Sequence, residues 1–360
     1  MCIRDRYNKP ETPGFDWEPD MQDDFEFKQI SATARVYTMA TYVDFDSPGP
    51  VKHTEGFELG SDKMPRMKHE FNIDEAKIRL HMQALQQFGV FSERMAQSVE
   101  NLLFESTDML LGGNYNSLKF QRHQAVSKGQ FDIIAENNPQ GITGVSIDFH
   151  VPGKNRWEIA WWKKDGTLNT GITPLEDLKN KVTYIRQTCY APVDHIEVNK
   201  ITWDKFIMIP AVRQSLGFIK NPLVTTVDAA VQIGVSLLDD EMKVLVEKYV
   251  GAPITIIDSV SVVEKFDKKT RTVTTPTLQS FDENVFVFIP SSRIGTIKAV
   301  TPIVINDPAA RIAFYDEGRT VITQTFDAYN KVQKISSELT ALCVPNVVRQ
   351  MYYLTVKASK

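Results

Sequence analysis

The side chains best suited to metal binding or proton transfer are six histidines: His53, His69, His81, His123, His150 and His195. None stands in an HExxH pair or at another ligand spacing. His150 falls in the alternating run 145-VSIDFHV-151, on its polar face, where a histidine is far more often a surface residue than a ligand. The three cysteines, Cys2, Cys189 and Cys343, lie too far apart for a redox or zinc motif. An odd, sparse set reads as reduced thiols, with Cys189 and Cys343 as small core residues. Acid–base work would need paired carboxylates. Asp239-Asp240-Glu241 is such a cluster, but it opens a helical stretch, where acids complement the positive end of the helix dipole. Asp23-Asp24 reads as solvated charge. Trp157, Trp161 and Trp162 could form a binding platform, yet a strand face buried against a helix needs no ligand. There is no phosphate-cradling loop, no dinucleotide fingerprint and no nucleophile elbow. The expectation is a chain with no catalytic residues, no metal site and no cofactor.

The stretch 35-RVYTMATYVDFDSPGPVKHTEGFEL-59 carries the stronger signal. Tyr37, Met39, Thr41, Val43 and Phe45 alternate with their neighbours at period two, the strand signature. Pro48-Gly49-Pro50 turns the chain, and the return path is more polar. Neither face is a good core face. The reading is a long hairpin over 31–72 that cannot bury itself, so another surface must complete it. Tyr37, Met39, Val43 and Phe45 would supply apolar contact to a neighbouring subunit, and Lys52, Arg66 and Lys68 would meet that neighbour's acids.

Around the hairpin, 360 residues suffice for a sizeable core. The net charge of −4, with signs interspersed, argues against a chain that grips nucleic acid through phosphates. No apolar run is long enough to span a bilayer, and no secretory signal is read. The opening MCIRDR resembles translated adapter sequence, so the natural start is expected elsewhere. Residues 7–30 read as an extended arm with Phe15, Trp17, Phe25 and Phe27 needing a surface.

Apolar spacing predicts a helical region from Asp74 and a second helix over about 91–111, stopped by Gly112-Gly113 and about 30 Å long. Strands are expected at 145–151 and 157–162, paired across the turn at Pro152. A helix follows from Pro174, capped by Thr173 with Glu176 in a capping box, then a strand near 194–198. Further expectations are a helix at 203–216 interrupted at Pro210 and a helix at 237–249 ended by Gly251. A central strand at 254–263, a charged hairpin turn at 264–271 and a buried strand at 284–290 come next. Short strands close the chain near 312–315, 320–325 and 351–357.

Several segments together resemble the major capsid proteins of tailed bacteriophages, the lambda-type E family with the Hong Kong ninety-seven fold. They are 65-PRMKHEFNIDEAKIRL-80, the helix closing on 110-LLGGNY-115, 201-ITWDKFIMIPAVRQSL-216, 246-VEKYVGAPITIID-258, 285-VFVFIPSSRIGTI-297 and 339-LTALCVPNVVRQMYYLTVKA-358. The resemblance implies an α+β chain with an N-terminal arm (1–30) and an extended β-hairpin loop (31–72). It implies a peripheral domain with a long spine helix (73–216 with 304–360) and an axial domain (217–303). It implies a structural protein, not an enzyme, that self-assembles as pentamers and hexamers into the icosahedral shell of a virion around packaged DNA. Such shells are built in the bacterial host cytoplasm with scaffold, portal and decoration proteins, touch DNA non-specifically and involve no membrane. The other readings are an encapsulin-like compartment of the same fold and an unrelated soluble enzyme.

Overall fold

The computed structural model describes residues 17–22, 24, 26–32, 57–73, 92–139, 143–163, 167–267, 270, 272–302, 310–327 and 332–358. The chain begins with β1 (Glu18–Met21), β2 (Glu26–Ala32), β3 (Phe57–Lys63) and β4 (Arg66–Ile73). Helix α1 (Ser92–Lys128) leads to β5 (Gln130–Ile133), β6 (Val145–Asp148) and β7 (Arg156–Trp162). Then come α2 (Pro174–Gln187), β8 (His195–Asn199), α3 (Lys200–Ile207), α4 (Pro210–Lys220), α5 (Val227–Ser236) and α6 (Asp239–Val250). Strands β9 (Ile254–Ile257), β10 (Val260–Val262), β11 (Lys265–Asp267), β12 (Thr272–Thr274), β13 (Thr277–Gln279) and β14 (Val285–Ile289) follow. The last are β15 (Gly295–Val300), β16 (Ala310–Tyr315), β17 (Thr320–Asp327), β18 (Val332–Pro345) and β19 (Tyr352–Ala358). The result is the expected mixture of helices and several sheets. The chain divides into two compact units. One takes Met1–Lys28, Ser61–Arg122 and Thr296–Val344, the other Gln29–Gly60, His123–Gly295 and Pro345–Lys360.

The first unit is built on a sheet ordered β1-β15-β18-β17-β16, with β4 also paired to β18. The 14-residue β18 organises it, and sequence periodicity missed that strand. Its run 339-LTALCV-344 is buried on every residue, so no alternation marks it. Leu110 and Leu111 of α1 pack on Ile322 and Ile335 of the sheet. Beside them Asn114 gives its amide N–H to Ser337 Oγ at 2.6 Å and meets His69 Nε2 through Oδ1 at 2.8 Å. Two turns further on, Gln121 Oε1 accepts the Cys343 N–H at 3.3 Å.

Helix α1 corrects the expectation that Gly112-Gly113 ends it. The helix runs for 37 residues, about 55 Å. A helix-interior glycine costs about 1 kcal/mol, and tertiary packing overrides that cost here. Gly113 leaves room for the His69 ring, since a Cβ there would stand 3.0 Å from His69 Cε1. The true stop is Gly129 at φ +71°, where a Cβ would fall 2.2 Å from Val151 Cγ2.

The second unit holds a five-stranded sheet ordered β7-β19-β14-β8-β9. Pairing is parallel for β7/β19 and β8/β9 and antiparallel for the two pairs that flank β14. One face carries Trp161, Leu354, Phe286, Phe288, Ile196 and Val198 into a core shared with α2, α3, α4 and α6. All five residues of β14 are buried, as its apolar run predicts. Trp161 donates Nε1–H to Asp177 Oδ2 of α2 at 2.9 Å, so its platform is a packed strand face. Burial raises the Asp177 carboxyl above its ordinary range against that hydrogen bond.

Several expectations for this unit fail for identifiable reasons. Strands β6 and β7 do not pair with each other. β6 joins β5, and Asn155 donates to the Arg349 and Met351 carbonyls at 2.9 and 3.0 Å, which steers β7 alongside β19. His150 lies past β6 at φ +56°, exposed, with its N–H on Asp148 Oδ1. Thr173 makes no side-chain cap on α2. The stretch 254–263 is two strands, because Ser259 is buried beside Ser280 and diverts the chain. β9 is consequently an edge strand rather than a central one. Pro210 separates α3 from α4 as expected, and Gly251 caps α6 at φ +82°.

Candidate assembly surfaces

Tyr37, Met39, Val43, Phe45 and Lys52, and the helical region expected from Asp74, lie outside the described residues. What is described is the root of the long hairpin. β2 and β3 pair with each other in a sheet of their own, so 33–56 leaves and returns through a two-stranded ribbon. Arg66 and Lys68 sit on β4, where Lys68 faces Glu338 across the ladder to β18. Arg66 Nη2 reaches Glu338 Oε2 at 2.5 Å. Arg66 therefore already has an acidic partner in its own chain, because the return path of the hairpin becomes a strand of the first unit's sheet.

Two further unpartnered surfaces belong to the second unit, and sequence reading overlooked both. The first is a stripe on α5. Val227, Val231 and Val235 recur every four residues on one face, and Leu238 extends the line. Val227, Val235 and Leu238 are exposed, Leu238 to 72%, and Leu223 just before the helix to 89%. The spacing could have revealed the stripe, but spacing does not say which apolar face finds a core. The second is a ribbon in which β10 pairs with β13 and β11 with β12. Val260, Val262 and Val273 are exposed on it, and its root at Ser259 and Ser280 is buried.

Concavities offer little chemistry. An apolar groove of about 470 Å³ is lined by Trp162, Leu168, Ile201, Met208, Ile209 and Pro210, with Asp204 and Lys205 at its edge. A polar pocket of about 220 Å³ lies among Ser127, Lys128, Arg156, Asp282, Glu283 and Tyr353. Its carboxylates are already matched, Asp282 with Lys128 at 3.4 Å and Glu283 with Lys205 at 3.1 Å. Arg156 stacks over the Tyr353 ring at 5.1 Å and donates to the Lys128 carbonyl. His195 reaches Asp194 at 2.8 Å and Glu197 at 3.5 Å. Burial alone would lower its pKa, but the hydrogen bonds and charges of Glu197 and Asp194 raise it overall. Among the described residues no cluster of three or more His, Cys, Asp or Glu side chains could hold a metal ion. No described helix is long and apolar enough to cross a membrane.

A family profile described as phage major capsid protein E matches residues 24–283. No curated protein sequence matches the chain. Among solved structures, the chain is similar to the capsid asymmetric unit of cyanophage A-1(L), at 10% identity and TM-score 0.47, over 95% of this chain and 90% of that one. It is similar to the capsid of Myoviridae phage XM1 at 9% identity and TM-score 0.41, over 93% and 87%. It is also similar to a virus-like particle from Pyrococcus furiosus at 8% identity and TM-score 0.35, over 94% and 89%.

Proposed function

The chain belongs to the phage major capsid protein E family, and from that membership we propose how its copies join into a shell. It is a structural protein of the virion, not an enzyme, and its copies assemble into the capsid. The hairpin 31–72 is the arm that reaches the next subunit. One observation carries this reading: β2 and β3 form a two-stranded sheet of their own, joined to neither larger sheet. A two-stranded ribbon by itself is marginally stable in water, so a surface beyond it must complete it. Tyr37, Met39, Val43 and Phe45 supply apolar contact there, with Lys52, Arg66 and Lys68 setting register.

The proposed map keeps 1–30 as an arm, 73–216 with 304–360 as the peripheral domain, and 217–303 as the axial domain at the five-fold and six-fold axes of pentamers and hexamers. Assembly takes place in the host cytoplasm, with scaffold, portal and decoration proteins as further partners and DNA held only non-specifically.

Replacing residues 36–53 with a short Gly-Ser linker tests the arm while sparing β2, β3 and the Arg66–Glu338 pair. The variant should unfold cooperatively at a temperature close to the parent's and yield no shells by electron microscopy. Normal particles would show that the segment is not an assembly arm. A variant that cannot fold would place the segment in the subunit's own core.

A further inference from the structure

The groove at the start of α4 and the turn that follows α4 are opposite in shape. The groove is concave and apolar, with Trp162, Leu168, Ile201, Ile209 and Pro210 in its lining and a largely exposed Met208. The turn is convex. Asn221 closes it twice, accepting the Leu223 N–H on its side-chain Oδ1 at 3.2 Å and the Val224 N–H on its carbonyl at 3.1 Å. Pro222, with φ fixed by its ring, stiffens the turn further. Leu223 stands on it with 89% of its surface open to water. Each feature has an unmatched charge beside it. Arg213 donates to the Ile207 carbonyl at 3.0 Å and to Met208 Sδ at 3.3 Å, so its guanidinium stands at the groove, and it forms no ion pair among the described residues. Asp228, in the first turn of α5 shortly after Leu223, is exposed and likewise forms no ion pair among them.

Resting on the shell reading above, we propose that Leu223 of one copy seats in the groove of the next, while Asp228 beside it meets Arg213 of that next copy. A second copy of this chain is the sole occupant of both features. An apolar knob with an acid beside it and an apolar groove with a cation beside it are complementary in shape and in charge. Within one subunit the two do not meet. Ile209 and Pro210 of the groove stand at the start of α4 and Leu223 follows its end, so the 11 residues of the helix set them about 16 Å apart along its axis. The exposure of Leu223 says the same. Because knob and groove lie at opposite ends of one helix, each copy gives one knob and receives one. Such a head-to-tail contact generates a ring when the rotation closes. The apolar residues supply the contact, and the charge pair at its edge favours correct register over raw affinity.

The test uses the full-length chain, assembled alone and followed by sedimentation and electron microscopy, with circular dichroism melts confirming that each subunit is folded. L223D should reduce assembled protein at least tenfold while leaving the melt unchanged, since so exposed a side chain adds little to the subunit's own core. A second variant reads proximity directly. In L223C/M208C, mild oxidation of the assembled protein should give a ladder of covalent oligomers on a denaturing gel, and neither single variant should give one. Unimpaired assembly of L223D overturns the contact. So does a double variant without a ladder, since another surface then covers Leu223. Crosslinks from L223C alone overturn it too, because the knob then meets something other than the groove. Unsubstituted chain that forms neither rings nor shells would instead overturn the shell reading on which the contact rests.

Discussion

His195 is the residue whose environment makes the clearest statement about pH. Its ring bridges Asp194 and the buried Glu197, and its pKa lies above the ordinary histidine value of about 6.5. A group whose folded pKa is raised contributes stability that is complete below the unfolded value and lost as pH rises through the folded one. Subunit stability in urea should therefore decline from pH 6 towards pH 8. H195Q should flatten that part of the profile while leaving the acid limb, where carboxylates titrate, in place. An unchanged slope in H195Q would mean that other groups carry the pH dependence. The neighbouring Glu197 shows why so polar a strand is tolerated here: a buried carboxylate is retained when polar partners face it, and His195 Nε2 stands 3.5 Å from it.

At the scale of elements, the α4–α5 crossing is held by two glycines at backbone contact. A Cβ at Gly217 would stand 1.9 Å from the Ala230 carbonyl oxygen, and one at Gly234 would stand 2.0 Å from that of Arg213. Backbone cannot give way as a flexible side chain can, so G217A should destabilise the subunit by about 1–3 kcal/mol, read as a lower denaturation midpoint at unchanged slope. A midpoint equal to the parent's would mean the helices do not meet this closely. Elements like these were legible in sequence to different degrees. α2, α6 and β14 are visible because period 3.6, an αL glycine or an unbroken apolar run marks them locally. The end of α1 was not, because Gly112 and Gly113 are permissive rather than terminating, and the space Gly113 leaves is filled by His69 from another part of the chain. The partner of β7 was not, because it is chosen by Asn155 reaching Arg349 and Met351 about two hundred residues away. Of the candidate contacts, the alternation at 37–45 was plain. The partner that Arg66 takes within its own chain was not, because Glu338 lies on a strand with no periodic signal.

For the whole molecule, the composition already excludes several roles. A net charge of −4 with mixed signs is a poor basis for gripping nucleic acid through its phosphates. Ribbon and stripe leave apolar surface that a monomer in water does not use. Membership of the capsid family and these unpartnered surfaces make the same demand: the fold is complete only among copies of itself. The most direct measurement follows the purified full-length chain across a concentration series by analytical ultracentrifugation, with cryo-electron microscopy of the fastest fraction. The account predicts cooperative conversion into closed shells of fivefold and sixfold rings, with density from each subunit's 36–53 segment lying over its neighbour. A single small species at every concentration, or closed particles in which that segment folds back on its own subunit, would contradict it.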